Sequence, residues 1–144
     1  MKNIVLVSGG FDPVHSGHIA LIQEASKFGD VVVLLNSDNW LRAKKGKEFL
    51  PYKEREIIMG SIKTVIDVLS FNDSDMTCIE GIKKTISKYP NRNIKFANGG
   101  DRNTKTTPET TFCEKNKVET LWGIGGYTKK NSSSLILKRW NEKN

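Results

Sequence analysis

The chain has 144 residues, of which 37% are hydrophobic and 27% charged, and its formal net charge at pH 7 is +7. These values favour a single domain over residues 1–144 and exclude a membrane protein, since no apolar run approaches the roughly 20 residues of a membrane-spanning helix. Cys78 and Cys113 lack the spacing of metal or redox pairs. We therefore expect two reduced thiols and a cytoplasmic location.

Apolar runs alternate with helical patterns along the chain. Continuous runs such as 4–7 and 31–35 are rich in β-branched residues, which is typical of strands buried on both faces of a parallel sheet. The pattern predicts five strands, at residues 4–7, 31–35, 65–71, 94–97 and 118–122. Between them it predicts a helix from His18 to a C-cap at Gly29 and a second helix over 53–64 with Ile57, Ile58 and Ile62 on one face. Three further helices are predicted from a Thr77–Glu80 capping box to Pro90, from an N-cap at Thr107, and from a cap at Asn131 or Ser132.

This alternation predicts an α/β fold, a Rossmann-like, doubly wound sheet of about five parallel strands with helices on both faces. Ligands of such folds bind at the carboxyl ends of the strands, near the point where the strand order reverses. Three polar loops follow predicted strands, at 8–18, 98–107 and 123–134. We expect these loops to gather at one edge of the sheet and to form the ligand site.

The first of these loops carries the most specific signal. Gly9 and Gly10 allow the backbone to turn sharply and to approach a ligand closely. His15 and His18, the only histidines of the chain, are three residues apart at the start of a predicted helix. The first N–H groups of a helix have no partner within it, and an imidazole donates a hydrogen bond to phosphate oxygen. The loop therefore predicts a site for a nucleotide phosphate.

His15-Ser16-Gly17-His18 resembles the His-x-Gly-His signature of the cytidylyltransferase-like nucleotidyltransferases, and the preceding Gly-Phe-Asp-Pro is similar as well. The resemblance covers nearly the whole chain. Further similarities follow in the order of the family: Asn36-Ser37-Asp38, the lysines Lys44 and Lys47, Tyr52-x-x-Arg55, Gly99-Gly100-Asp101, and the serine-rich 132–136.

This resemblance implies a reaction and a set of site residues. A phosphate monoester would attack the α-phosphorus of a nucleoside triphosphate in line and release pyrophosphate, without a covalent intermediate. Mg²⁺ would be held mainly by the nucleotide, with no protein metal ligands. Lys44 and Lys47 would be mobile charges on a flexible loop. The implied catalytic residues are His15, His18 and Lys44; the nucleotide would be bound by Gly9, Gly10, Phe11, Asp12, Asp101, Ser132 and Ser133; the acceptor would be bound by Lys47, Arg55 and Lys130.

Some positions depart from the glycerol-phosphate branch of this family. That branch has Arg-Thr-Glu-Gly before the serine motif, whereas this chain has Tyr127-Thr128-Lys129-Lys130, and it has a tryptophan where Arg102 stands. Gly-Gly-Asp, Asn-Ser-Asp and the segment 57–73 look more like the heptose-phosphate adenylyltransferase branch. The choice between CTP and ATP, and the identity of the small phosphorylated alcohol or sugar, stay open.

Two other classes of function were weighed against an enzyme. A non-catalytic nucleotide-binding module is disfavoured because both histidines and the serine motif are present. Nucleic-acid binding, suggested by the net charge, is disfavoured because the chain lacks interleaved basic and aromatic residues. Members of the family are commonly homodimers, and by analogy we expect one here, with no nucleic-acid or membrane partner.

Overall fold

The computed structural model describes residues 2–99, 107–125 and 132–142. Five strands lie in these ranges, β1 (Ile4–Gly9), β2 (Asp30–Leu35), β3 (Val65–Leu69), β4 (Ile94–Gly99) and β5 (Glu119–Ile124). Six helices accompany them, α1 (Ser16–Ala25), α2 (Asp38–Lys45), α3 (Tyr52–Gly60), α4 (Ile79–Lys88), α5 (Pro108–Lys115) and α6 (Ser133–Asn141). The strands form one parallel sheet in the order β3-β2-β1-β4-β5, which confirms the predicted Rossmann-like fold.

Each face of the sheet is covered by helices. On one face, Ile22 of α1 and Met59 of α3 pack against alternate residues of the central strands. On the other face, Ile82 of α4 and Cys113 of α5 pack against the residues between them. The strand β2 is buried on both sides, since Val31–Leu35 have no exposed surface. Helix α6 contributes no buried residue.

The sheet opens at the point where its strand order reverses. β1 pairs with β2 as far as Gly9 and Leu35, and β4 pairs with β5 as far as Gly99 and Ile124. The ladder between β1 and β4 ends earlier, at Leu6 and Phe96. The two strands therefore separate at their carboxyl ends, which leaves the crevice where such folds bind ligands.

Several local predictions were wrong. The helix predicted over 53–64 is α3 and ends at Gly60, so Ile62 lies beyond it. Ile57 is 55% exposed, because α3 turns Arg55 and Met59 toward the protein interior. No capping box forms at Thr77, since α4 begins at Ile79 and the Thr77 hydroxyl accepts a hydrogen bond from the Ile79 backbone instead. Gly29 lies beyond the C-cap of α1, which is Ser26. A Cβ atom at Gly29 would lie 2.2 Å from the Asn3 carbonyl oxygen, so close packing against β1 requires the glycine.

Other local predictions were correct. Thr107 caps α5 in a capping box with Thr110, with Pro108 at the first helical position. Ser132 caps α6, because its hydroxyl accepts a hydrogen bond from the Leu135 backbone. In the described ranges, no helix combines the length and the apolar character needed to cross a membrane.

Candidate active site

The loop after β1 is fixed by a buried carboxylate. Asp12 is 1% exposed, and its two carboxylate oxygens accept hydrogen bonds from the backbone N–H groups of Phe49 (2.6 Å) and Leu50 (2.7 Å). A Cβ atom at Gly10 would lie 2.7 Å from a methyl carbon of Leu41, so the glycine allows α2 to approach the loop. Asp12 was expected to bind the nucleotide, but its side chain holds the segment before α3 against the first loop.

The two histidines organise the beginning of α1. The Nδ1 atom of His15 accepts a hydrogen bond from the Gly17 backbone, and the Nδ1 atom of His18 accepts one from the His15 backbone. The two rings stack with their centroids 3.8 Å apart, and the Phe11 ring meets His18 edge-on at 4.7 Å. Since each Nδ1 is an acceptor, each neutral ring carries its proton on Nε2. The pair thus supplies hydrogen-bond donors at a helix N-terminus.

The protonation state of His18 follows from its surroundings. Burial lowers the pKa of His18 to about 4, and the neighbouring His15 and Lys45 contribute smaller shifts in the same direction. The His18 ring is therefore neutral at pH 7 in the free protein. A neutral imidazole donates through Nε2 without the desolvation cost of a buried charge.

Lys45 supplies a positive charge next to these rings, and sequence reasoning missed it. Its Nζ atom donates a 2.7 Å hydrogen bond to the Asp12 carbonyl oxygen. Lys45 reaches the loop because residues 38–45 form helix α2, which was also missed. The helix had recognisable signals: Ser37 is its N-cap, and Gly46 ends it with a left-handed φ of 88°.

Two lysines that were expected at the site, Lys44 and Lys47, lie at the end of α2 and just beyond it. Lys44 is on the last turn of α2 rather than on a flexible loop, and its Nζ lies 5.4 Å from the centroid of the Trp40 ring. Lys47 is exposed and follows Gly46. Asp101 and Lys130, together with Arg102 and Lys129, lie outside the described residues.

The N-terminus of α6 meets the first loop directly. The Ser133 hydroxyl donates a 2.8 Å hydrogen bond to the Pro13 carbonyl oxygen, across 120 residues of sequence. The beginnings of α1 and α6, which start at Ser16 and Ser133, are thereby brought together. The serine segment and the histidine segment are therefore neighbours in the fold.

These two helices differ from the other four described ones. Neither α1 nor α6 has an acidic residue in its first turn. Helices α2, α3, α4 and α5 each have one, namely Asp38, Glu54, Glu80 and Glu109. A helix N-terminus carries about half a unit of positive charge, which a carboxylate of the protein usually offsets. The first turns of α1 and α6 supply no such carboxylate.

Arg55 was expected to contact the acceptor, and its position corrects that expectation. It is 1% exposed, and its guanidinium donates to the carbonyl oxygens of Leu50, Gly10 and Asn36 and to Asp38 Oδ1 at 2.6 to 3.0 Å. These bonds use four of its five N–H donors. Arg55 therefore positions the loops around the site and has no surface to offer a ligand.

No metal site is visible in the parts of the chain that the structure describes. No group of three or more His, Cys, Asp or Glu side chains lies close enough there to hold a metal ion. The polar groups of the site are the imidazoles, serine hydroxyls, lysines and backbone N–H groups described above, which suit phosphate oxygens.

Comparisons with known proteins identify the family of this chain. The Cytidylyltransferase-like family model matches residues 6–137. Among curated proteins, "Bifunctional protein HldE" of Geobacter metallireducens is 29% identical over 98% of this chain, and that of Enterobacter sp. (strain 638) is 32% identical over 69%. The chain spans 28% and 24% of the length of these two relatives.

Two solved structures share the fold. The lipopolysaccharide core biosynthesis protein from Thermoplasma volcanium has a TM-score of 0.65 and 21% identity, and the match covers 85% of this chain and 95% of that one. A nicotinate-nucleotide adenylyltransferase from Vibrio parahaemolyticus, itself described as putative, has a TM-score of 0.59 and 19% identity, with 96% and 86% covered. Because the family model spans most of the chain, this protein belongs to the cytidylyltransferase-like family of nucleotidyltransferases.

Proposed function

We propose that this protein transfers a nucleoside monophosphate from CTP or ATP to a small phosphorylated alcohol or sugar and releases pyrophosphate. The observation that carries this proposal is the meeting of two helix N-termini that lack first-turn carboxylates, at Pro13 and His15. Such a paired anion site suits a triphosphate. The alternative is a binding module of the same fold that does not catalyse transfer.

The chemistry follows from how the site residues are held. The acceptor phosphate oxygen attacks the α-phosphorus as the bond to the bridging oxygen of pyrophosphate breaks, so no covalent enzyme intermediate forms. His15 and His18 donate hydrogen bonds to oxygens that gain charge in the transition state, and their backbone contacts fix their orientation beforehand. The Lys45 ammonium adds positive charge at the same loop. The protein contributes positioning and charge stabilisation.

Other parts of the proposal come from the family resemblance. We propose that Mg²⁺ arrives on the triphosphate, because this ion keeps substrate phosphates and water as its preferred ligands. Lys44, Lys47 and Lys130 are proposed to bind phosphate groups, and Asp101 to contact the base. A homodimer is proposed on the same ground, and a cytoplasmic location on the ground of the two free thiols.

The proposal is tested by pyrophosphate release. The four nucleoside triphosphates are each incubated with a panel of polyol and sugar phosphates, and the product is identified by mass spectrometry. His15→Ala and His18→Ala are expected to lower turnover by about 10²–10³-fold, the usual loss for one transition-state donor. Lys27→Ala, at an exposed position just beyond the C-terminal end of α1, is the matched control and should keep full turnover.

The outcomes separate the two candidate functions. Circular dichroism confirms that each variant keeps the fold. Near-normal turnover in both histidine variants would refute the assignment of these residues. Triphosphate binding without pyrophosphate release for any acceptor would favour the non-catalytic module.

A further inference from the structure

A small cavity lies beside the proposed active site, at the carboxyl ends of β2 and β3. Its volume is about 220 Å³, and it is lined by Leu35, Ser37, Asp38, Tyr52, Ser70 and Phe71. Two aromatic rings and three hydroxyl groups therefore surround a single carboxylate. None of these six residues was assigned a role in the transfer reaction above.

The Tyr52 hydroxyl is the unusual group in this cavity. Its oxygen is buried next to the Ser70 side chain but forms no hydrogen bond of good geometry with any described residue. Burial also raises the pKa of Tyr52 above its usual value, so the hydroxyl keeps its proton. A buried hydroxyl without a partner destabilises a folded protein. Such a group is understandable when a ligand supplies the missing partner.

The cavity is connected to the catalytic loop by one side chain. Arg55 donates to the Gly10 carbonyl oxygen at 3.0 Å and, through its other terminal nitrogen, to Asp38 Oδ1 at 2.6 Å. One guanidinium thus separates the first loop from the carboxylate of the cavity. The strands β1, β2 and β3 are neighbours, and adjacent strands lie about 4.8 Å apart. A ligand whose phosphate group lies at the histidines can therefore place its remaining atoms in the cavity.

We propose that this cavity binds the hydroxyl-bearing part, a sugar or polyol, of the phosphorylated acceptor. The inference rests on the proposed function. Asp38 accepts hydrogen bonds from ligand hydroxyls, because a carboxylate has more acceptor sites than its bond to Arg55 uses. The buried Tyr52 hydroxyl forms a hydrogen bond with another hydroxyl group of the ligand, and the rings of Tyr52 and Phe71 contact the carbon skeleton of the ligand. The carboxylate repels a second phosphate, so the cavity selects a neutral, hydroxylated group.

The test compares two tyrosine variants that each lose one hydroxyl. Tyr52→Phe is expected to raise KM for the acceptor about 3- to 10-fold, while KM for the triphosphate and kcat stay unchanged. Its melting temperature should be equal or higher, because the lost hydroxyl had no partner in the free protein. Tyr89→Phe is the matched control, since the Tyr89 hydroxyl donates to Asp67 away from the cavity. It should lower the melting temperature and leave both KM values unchanged.

A binding measurement keeps this test independent of turnover. In ¹⁵N-labelled protein, glycerol 3-phosphate and a heptose phosphate should shift the amide signals of Ser70 and Phe71, whereas inorganic phosphate should not. The shift should weaken in Tyr52→Phe. An unchanged acceptor KM in Tyr52→Phe, or amide signals that ignore the sugar phosphate, would overturn the cavity assignment even if pyrophosphate is released. Amide shifts without pyrophosphate release would support the cavity and refute the proposed function.

Discussion

The lowered pKa of His18 predicts how the stability of the free protein depends on pH. The pKa falls from 6.5 to about 4 on folding, so between these values the unfolded chain binds more protons than the folded protein. The contribution of His18 to the free energy of unfolding is therefore fully present above pH 6.5 and is lost as the pH falls toward 4. At 1.36 kcal/mol per unit, the total loss approaches about 3 kcal/mol, with about 2 kcal/mol already lost at pH 5.

Urea unfolding between pH 5 and 7 measures this loss. This pH range suits a measurement of His18. The ordinary pKa values of Glu48, Asp67 and Asp75 are below 5 and are lowered further in the folded protein, so these carboxylates take up protons mainly below this range. His18→Gln is the control and should remove most of the slope. The chain has only two histidines, so the imidazole NMR signals are readily assigned with the same variant. A His18 signal that titrates near pH 6.5, or a wild-type stability that is flat across the window, would refute the reasoning.

Two further predictions concern the cations around the first loop. Arg55→Met removes a buried charge with four hydrogen bonds, so we expect the free energy of unfolding, measured in urea titrations, to fall by about 3 kcal/mol. The exposed Lys53→Met is the control and should lower it by less than about 0.5 kcal/mol. Equal losses in the two variants would contradict a positioning role for Arg55. Lys45→Met should lower turnover about 10- to 100-fold, because Lys45 holds the first loop, whereas the exposed Lys53→Met should lower it less than about 3-fold. Equal turnover in these two variants would contradict a role for Lys45 at the site.

The sheet could be predicted from the sequence because its central strands are continuous runs of apolar residues. Val31–Leu35 is continuous and apolar, and burial on both faces of a parallel sheet requires such a run. Helix α2 was missed because half of its residues are charged and only Leu41 is buried. The helix gains its place from capping and from Leu41 against Gly10, which a hydrophobic pattern does not record.

The candidate site was predictable in its residue types and less so in its contacts. The spacing of His15 and His18 placed both rings at a helix N-terminus, where the structure finds them. The burial of Arg55 could not be predicted, because its partners include the carbonyl oxygens of Gly10 and Asn36, which any residue type offers. The same holds for Lys45, whose partner is the Asp12 carbonyl oxygen. Side chains that bond to distant backbone leave no pattern in a sequence.

Helix α6 gives the site an unequal construction. In the proposed site it supplies one of the two helix N-termini but contributes no buried residue, and Ser133 ties that N-terminus to Pro13. Segments with few buried contacts open at much lower free energy than the core does. Detachment of α6 would therefore leave the sheet and its two hydrophobic cores intact while dismantling half of the anion site. A bound triphosphate that contacts both helix N-termini would hold α6 in place. The amide hydrogens of α6 should then exchange more slowly than in the free protein.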